Sequence, residues 1–145
     1  MNGDSWFLDT NVFVYTFDET APGKRRRARE LVAGALESTD AAISFQVLQE
    51  FLNVATRKFE RPLSADDAGR YLDHVLAPLC RVFPSVDLYH RGLEVAKRWQ
   101  LSFYDALIVA AAQHAGCEVL LTEDLQDGLE IGELRVTNPF RDLLD

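Results

Sequence analysis

Short apolar runs alternate along the chain with longer segments that carry apolar residues at helical spacing. The runs cover residues 5–9, 41–43, 80–83, 118–122 and 134–137. They are largely continuous rather than alternating, which is typical of strands that are buried on both faces. Parallel strands need a crossover between them, and in most α/β proteins a helix supplies it. The pattern therefore predicts an α/β fold in which helices cover both faces of a parallel sheet.

Helix signals fill the segments between these runs. The predicted helices span residues 24–37, 45–59, 64–75, 87–99 and 103–115. Ser44 and Ser64 are placed to cap two of them, and Ser64 also begins a capping box. Residues 103–115 are apolar almost all round, so we expect that helix to be central and buried. Gly116 follows it as the residue that ends the helix.

Length and composition narrow the classes of protein. A chain of 145 residues is most simply one domain, residues 1–145. No apolar run approaches the roughly 20 residues that span a bilayer, and no basic segment precedes an apolar one at the N-terminus. We therefore expect a cytoplasmic protein with no membrane contact and no signal peptide. Cys80 and Cys117 form no CxxC pair and are expected to be reduced core thiols.

The charge is unevenly distributed. A net charge of −8 argues against a surface that is basic all over. The first predicted helix nevertheless carries a basic strip, which consists of Lys24, Arg25, Arg26, Arg27 and Arg29. Such a strip forms either a solvated helix face or a contact for nucleic acid, and the residues alone favour neither interpretation.

Four acidic residues stand where apolar segments end or are interrupted. They are Asp9, Glu50, Asp105 and Asp124. Each has an ordinary structural interpretation when taken singly. Asp9 can cap a helix, and Glu50 can be a surface residue on the polar border of an amphipathic helix. Asp105 can belong to a capping box with Ser102, and Asp124 fits a polar turn.

Taken together, the four acids predict one site. Ligand sites in α/β sheets lie beyond the carboxyl ends of the strands, where Asp9 and Asp124 are expected. Carboxylates that converge there repel one another, and a hard divalent cation with oxygen ligands relieves that repulsion. Mg²⁺ is the first candidate, and Mn²⁺ accepts the same ligands. Spacing alone does not select among Glu123, Asp124 and Asp127 as the fourth acid.

The segments around these acids resemble a known family. They are residues 7–11 (FLDTN), 49–51 (QEF), 102–108 (SFYDALI) and 120–128 (LLTEDLQDG). Their order and spacing resemble those of PIN domains, over essentially the whole chain. The last segment and the overall length are similar to those of VapC-type toxins from bacterial type II toxin–antitoxin modules.

The resemblance implies a three-layer α/β/α fold around a parallel five-stranded sheet, and a Mg²⁺-dependent ribonuclease. It implies that Asp9, Glu50, Asp105 and Asp124 form the catalytic, metal-binding cluster, with Asp124 rather than Glu123 as the fourth member. The polar residues that would orient the acids or a phosphate are Thr10, Asn11 and Thr122. It also implies a homodimer, a VapB-type antitoxin as partner, and tRNA or another structured RNA as substrate.

The histidines favour metal-dependent hydrolysis over the alternative route to RNA cleavage. His74, His90 and His114 stand apart from the acidic segments, so a paired-histidine mechanism through the 2′-hydroxyl is not expected. Hydrolysis by water that a metal activates predicts 5′-phosphate and 3′-hydroxyl ends.

Two other classes remain as alternatives. One is a phosphatase- or dehalogenase-like hydrolase with Asp9 as nucleophile, although Asn11 stands where such phosphatases usually carry a second Asp. The other is a non-catalytic binding module that has kept the PIN fold.

Overall fold

A mostly parallel sheet forms the centre of the molecule in the computed structural model, which describes residues 4–143. Its strands are β1 (Trp6–Leu8), β2 (Ala41–Ser44), β3 (Cys80–Val82), β4 (Val119–Leu121), β5 (Glu130–Ile131) and β6 (Leu134–Thr137), in the spatial order β3-β2-β1-β4-β6-β5. All five predicted strands are present and pair in parallel, which confirms the fold class. The sixth strand, β5, is an antiparallel addition at the edge that the sequence analysis missed.

The missed strand has a simple physical explanation. It contains two residues, and only Ile131 is buried, so it presents no apolar run. A two-residue loop starting at Gly132 connects it to β6, and this glycine adopts φ 62°. Gly followed by a polar residue is a recognised hairpin connection, and this was the signal available in the sequence.

Helices flank the sheet. They are α1 (Thr10–Tyr15), α2 (Pro22–Glu37), α3 (Phe45–Arg57), α4 (Ala65–Tyr71), α5 (Ala77–Leu79), α6 (Val86–Trp99) and α7 (Phe103–His114). Each predicted helix is found, with differences at the ends. α2 begins earlier than predicted because Pro22 occupies its first turn, where a missing N–H costs nothing.

The helix predicted to end near residue 75 continues to Leu79 through a π-helical turn at Leu72–Leu76. Pro78 lies just beyond this turn and has no N–H to donate to the preceding turn of helix. The chain accommodates the proline by widening one turn, in which the Ala77 N–H bonds to the Leu72 carbonyl.

The core lies around β1, β4 and α7. Phe7, Leu8 and Leu120 are fully buried, and every residue from Ala106 to Ala112 is buried as predicted. α6 packs closely on α7 at Gly92, where an added Cβ would lie 3.2 Å from Leu107 Cδ1. α7 is therefore held firmly, and the residues of its first turn are presented from a rigid element.

Two further expectations concern thiols and membrane spans. Both cysteines are free, with Cys117 buried and Cys80 half-buried. Burial raises the pKa of the Cys117 thiol to about 11, so the group is an inert thiol.

Among residues 4–143, none of the helices has the length and apolar character that a membrane crossing needs.

Candidate active site

The parallel pairing of β1 with β4 places the first and last acidic segments side by side. Leu8 of β1 lies opposite Leu121 of β4, and the Asp9 N–H donates to the Leu121 carbonyl at 3.0 Å. The chain leaves both strands at the same edge of the sheet, so Asp9 and Thr122 come together there. This is the carboxyl edge at which α/β folds bind ligands.

Asp9 is a buried carboxylate at this edge, with only 6% of its surface exposed. It caps α1, because Oδ1 accepts a hydrogen bond from the Thr10 N–H at 2.7 Å. Its Oδ2 accepts from the Thr122 hydroxyl at 2.7 Å. Burial raises the pKa of Asp9 from 3.8 to about 6, although both hydrogen bonds act in the opposite direction. The protein thus holds this carboxylate where its charge is poorly solvated.

Thr122 connects Asp9 to the segment after β4. Its side chain is fully buried, and its oxygen accepts from the Asp124 N–H at 3.0 Å and from Asn11 Nδ2 at 3.2 Å. The Asn11 amide also donates to Asp124 Oδ2 at 3.2 Å. Asp9, Thr122, Asn11 and Asp124 therefore form one continuous hydrogen-bond network.

Glu50 joins the same site from α3. Its Oε1 accepts from the Thr10 hydroxyl at 2.8 Å, and its Oε2 accepts from Gln46 Nε2 at 3.4 Å. Thr10 thus uses its backbone N–H to hold Asp9 and its hydroxyl to hold Glu50. The border position that periodicity gave Glu50 corresponds to the rim of a cleft.

Asp105 completes the set from the first turn of α7. Its N–H donates to Ser102 Oγ at 3.3 Å, as the capping-box interpretation predicted. No side chain in the described part of the chain donates a hydrogen bond to its carboxylate, which lines a cleft of about 590 Å³ together with Asp9, Glu50 and Asp124. The cap and the cleft position coexist, because the backbone makes the cap and the side chain faces the cleft.

The other two acids after β4 are held elsewhere. Glu123 accepts from Lys24 Nζ at 2.7 Å and from the Tyr15 hydroxyl. Asp127 accepts from the Asn138 N–H and pairs with Arg141 at 2.8 Å. Asp124 is thus the acid of this segment that lines the cleft, and this was the choice that spacing alone left open.

The basic strip does not form a single surface. Lys24 pairs with Glu123, and Arg27 donates to the Pro139 carbonyl at 2.6 Å and pairs with Asp142 at 3.3 Å. Arg29 Nε donates to the Thr16 carbonyl at 2.9 Å. A separate depression of about 420 Å³ is lined by Arg25, Arg26 and Arg29. None of the strip residues lines the acidic cleft.

Several cleft residues were missed in the sequence analysis. Gln46, Lys58 and Tyr104 also line the cleft. Gln46 stands one helical turn before Glu50, so spacing could have indicated it, whereas Tyr104 directly precedes Asp105 and carries no such signal. Lys58 lies at the C-terminal cap of α3 and carries no comparable signal.

The donor set fits a hard divalent cation that keeps part of its water shell. Among residues 4–143, no three His, Cys, Asp or Glu side chains lie close enough to enclose a metal on their own. Mg²⁺ does not need such a cage, because it retains several waters and takes one or two carboxylates. The cleft offers oxygen donors from four carboxylates, and the buried amide oxygen of Asn11 has no partner among the described residues.

Comparisons with known proteins agree with this geometry. The PIN domain family model matches residues 6–126. Ribonuclease VapC7 from Mycobacterium tuberculosis is 35% identical over 122 residues, which cover 81% of this chain and 80% of that protein. A toxin–antitoxin complex from Klebsiella pneumoniae aligns with a TM-score of 0.69 at 24% identity, over 93% of this chain and 98% of the matched chain.

A third comparison extends the same result. Mycobacterium tuberculosis VapC20, described as a toxin that cleaves the sarcin–ricin loop, aligns with a TM-score of 0.62 at 21% identity. The alignment covers 83% of this chain and 90% of the matched chain. At these identities the two structures show only that the fold is shared. The family model and the sequence relative show the family. The chain therefore belongs to the PIN-domain family and, within it, to the VapC-type ribonuclease toxins.

Proposed function

We propose that the protein is a Mg²⁺-dependent endoribonuclease that hydrolyses phosphodiester bonds in tRNA or another structured RNA, as the toxin of a type II toxin–antitoxin system. The observation that carries the proposal is the buried Asp9 carboxylate in a cleft with three further acids. A carboxylate with a raised pKa and like-charged neighbours is the pattern of a functional site.

The chain's own residues supply the positioning. Thr10 and Thr122 hold the Asp9 carboxylate through both of its oxygens, and Thr10 also fixes Glu50. Asn11 holds Asp124. When bound, a divalent cation would supply charge neutralisation at the scissile phosphate and a hydroxide nucleophile at neutral pH, with Mn²⁺ as the expected substitute. Asp9 and Asp105 are the first candidates to hold it, with Glu50 and Asp124 completing the set.

The phosphatase-like alternative has less support from the residues around Asp9. Such phosphatases usually carry a second Asp two residues after the nucleophile. Here that position is Asn11, whose amide donates to Thr122 Oγ1 and to Asp124 Oδ2. The metal-dependent ribonuclease is therefore the better-supported proposal.

The cleft and the relatives support the proposed antitoxin partner. An Arg or Lys side chain of a VapB-type antitoxin could enter the acidic cleft, form charge-assisted hydrogen bonds with the carboxylates and thereby inhibit the enzyme. The similar Klebsiella pneumoniae structure is itself a toxin–antitoxin complex. The proposal includes a homodimer and action in the cytoplasm, where structured RNA is available.

An RNA cleavage assay tests the proposal. The purified protein should cut a structured RNA in Mg²⁺, leave 5′-phosphate and 3′-hydroxyl ends, and lose activity in EDTA. We expect Asp9→Asn, Asp105→Asn and Asp124→Asn each to lower kcat/KM by at least about 10- to 100-fold. Asp127→Asn is the matched control, because it changes the same residue type in the same segment but outside the cleft.

Two results would contradict this function. Cleavage that survives both EDTA and Asp9→Asn would exclude the metal-dependent mechanism. A Mg²⁺-binding protein that cuts no RNA under any condition would instead favour the non-catalytic binding module.

A further inference from the structure

A smaller cavity lies beside the acidic cleft. It measures about 190 Å³ and shares Gln46 and Tyr104 with the cleft, so the two spaces adjoin each other. Its floor is formed by buried residues, among them Leu88 of α6 and Leu107 of α7. Because both floor residues belong to the firmly packed α6–α7 pair, the cavity is a preformed feature of the fold.

Aromatic side chains form the walls of this cavity. They are Phe45, Phe83, Tyr89 and Tyr104, and we call the cavity the aromatic side pocket. Phe83 is 60% exposed and Tyr104 is 66% exposed. The rings of Phe45 and Phe83 lie 6.1 Å apart between centroids. Exposed aromatic faces beside a cleft that cuts RNA are suited to stacking against an unpaired base.

The wall that the pocket shares with the cleft carries an amide whose acceptor is unused. Gln46 Nε2 donates to the Tyr104 carbonyl at 3.2 Å and to Glu50 Oε2 at 3.4 Å, which sets the orientation of the amide. Gln46 Oε1 is buried and has no partner among the described residues. A buried acceptor without a donor is costly, and a ligand N–H would satisfy it. An apolar protein contact alone would leave this oxygen unpaired.

We propose that the aromatic side pocket binds one unpaired nucleobase next to the scissile phosphate, stacked against Tyr104 or Phe83, with a base N–H donating to Gln46 Oε1. The inference rests on the proposed function, because the adjoining cleft has to hold the RNA backbone. A cavity of this size takes one ring system rather than a larger ligand. The pocket is then the part of the site that selects the sequence that is cut.

Abasic scanning tests the proposal. Oligoribonucleotides of one sequence, each with a single abasic position, are cut by the wild type and by Tyr104→Ala. For the wild type, one position near the cut should lower kcat/KM by about 10- to 100-fold. In Tyr104→Ala the intact substrate should be cut more slowly, and the abasic penalty at that position should fall to about twofold or less. Phe83→Ala provides a second variant of the same wall.

A fluorescence measurement reports stacking without cleavage. An oligoribonucleotide carrying 2-aminopurine at the selected position is titrated with protein in EDTA. Wild-type protein should quench the fluorophore, and Tyr104→Ala should lose the quenching. Leu93→Ala is the matched control, because Leu93 is an exposed apolar residue of α6 that does not line the pocket.

The outcomes separate this proposal from the proposed function. Cleavage with no sensitive abasic position and no quenching would overturn the nucleobase site and leave the ribonuclease intact. Quenching that depends on Tyr104 in a protein that cuts no RNA would support the pocket and contradict the ribonuclease. A third outcome is that light scattering shows Tyr104→Ala and Leu93→Ala to be monomers where the wild type is an oligomer, while the abasic profile is unchanged. In that case this face is a protein contact and the proposal is wrong.

Discussion

At the scale of single residues, Asp9 combines an observed structural role with a proposed functional one. It caps α1 and anchors Thr122, yet its burial makes the charged form unfavourable. A cap that served stability alone would remain solvated, since an exposed Asp makes the same hydrogen bond without a desolvation cost. The buried position therefore favours a role in binding a cation.

The raised pKa of Asp9 predicts how stability depends on pH. Its folded pKa of about 6 exceeds the unfolded value of 3.8, so the folded protein holds more protons between these values. The contribution of Asp9 to stability is therefore greatest at low pH and is lost as pH rises through the window. We compare the free energies of unfolding of Asp9→Asn and of the wild type, both measured in EDTA. From about pH 4.5 to about pH 7.5, the wild type should lose about 2 kcal/mol relative to Asp9→Asn.

Urea unfolding of both proteins at the two pH values checks this expectation. Asp9→Asn also loses the hydrogen bond from Thr122, which lowers its free energy of unfolding by the same amount at both pH values. This loss therefore cancels when the two pH values are compared. A difference that stays constant or shrinks with rising pH would show that Asp9 is not destabilised by its burial.

At the scale of elements, the first turn of α7 controls the position of Asp105. Ser102 Oγ accepts from the Asp105 N–H, and Ser85 caps α6 in the same way through the Leu88 N–H at 3.0 Å. α6 and α7 pack against each other, but only α7 carries an acid of the cleft. The two caps therefore offer a matched comparison between stability and function.

Removing each cap should separate these effects. Ser102→Ala and Ser85→Ala should each lower the free energy of unfolding by about 1 kcal/mol, since each loses one N-cap hydrogen bond. Only Ser102→Ala should also lower kcat for RNA cleavage, because the turn that presents Asp105 becomes less ordered. Thermal unfolding and steady-state kinetics measure both quantities. Equal loss of kcat in the two variants would indicate a purely global effect.

The elements themselves were largely predictable from the sequence. Five strands and the main helices follow from apolar runs and caps that act locally, such as Ser44 and Ser64. The two exceptions carry only weak local signals. β5 contains two residues and pairs with β6 across the short loop at Gly132, and the π turn lies just before Pro78.

At the scale of the whole molecule, the proposed metal site in the acidic cleft predicts that stability depends on divalent cations. Four carboxylates from distant parts of the chain face one cleft of about 590 Å³. A cation that binds only the folded state stabilises it, by about 2.7 kcal/mol at a concentration 100 times Kd. Mg²⁺ or Mn²⁺ should therefore raise Tm in a dose-dependent way.

A thermal-shift titration measures this response. Asp9→Asn should show a higher Tm than the wild type in EDTA near neutral pH, yet a much smaller increase with Mg²⁺. Asp127→Asn should respond to Mg²⁺ like the wild type. Failure of the wild type to respond at millimolar Mg²⁺ or Mn²⁺ would reject a metal site in the cleft.

The sequence by itself determined the fold class and the positions of the parallel strands along the chain, and it predicted three of the acids that line the cleft. These features could be predicted because periodicity, caps and strand ends are local properties of the chain. Spacing left open which acid after β4 enters the cleft and the family resemblance implied Asp124, but only the tertiary structure supplies the physical reason. Lys24 and Tyr15, which precede Glu123 by 99 and 108 residues, hold Glu123 away, while Asn11 holds Asp124 in place. It also divided the basic strip among separate partners and formed the aromatic side pocket from α3, α6 and α7. These features depend on contacts between residues distant in sequence, which local patterns do not encode.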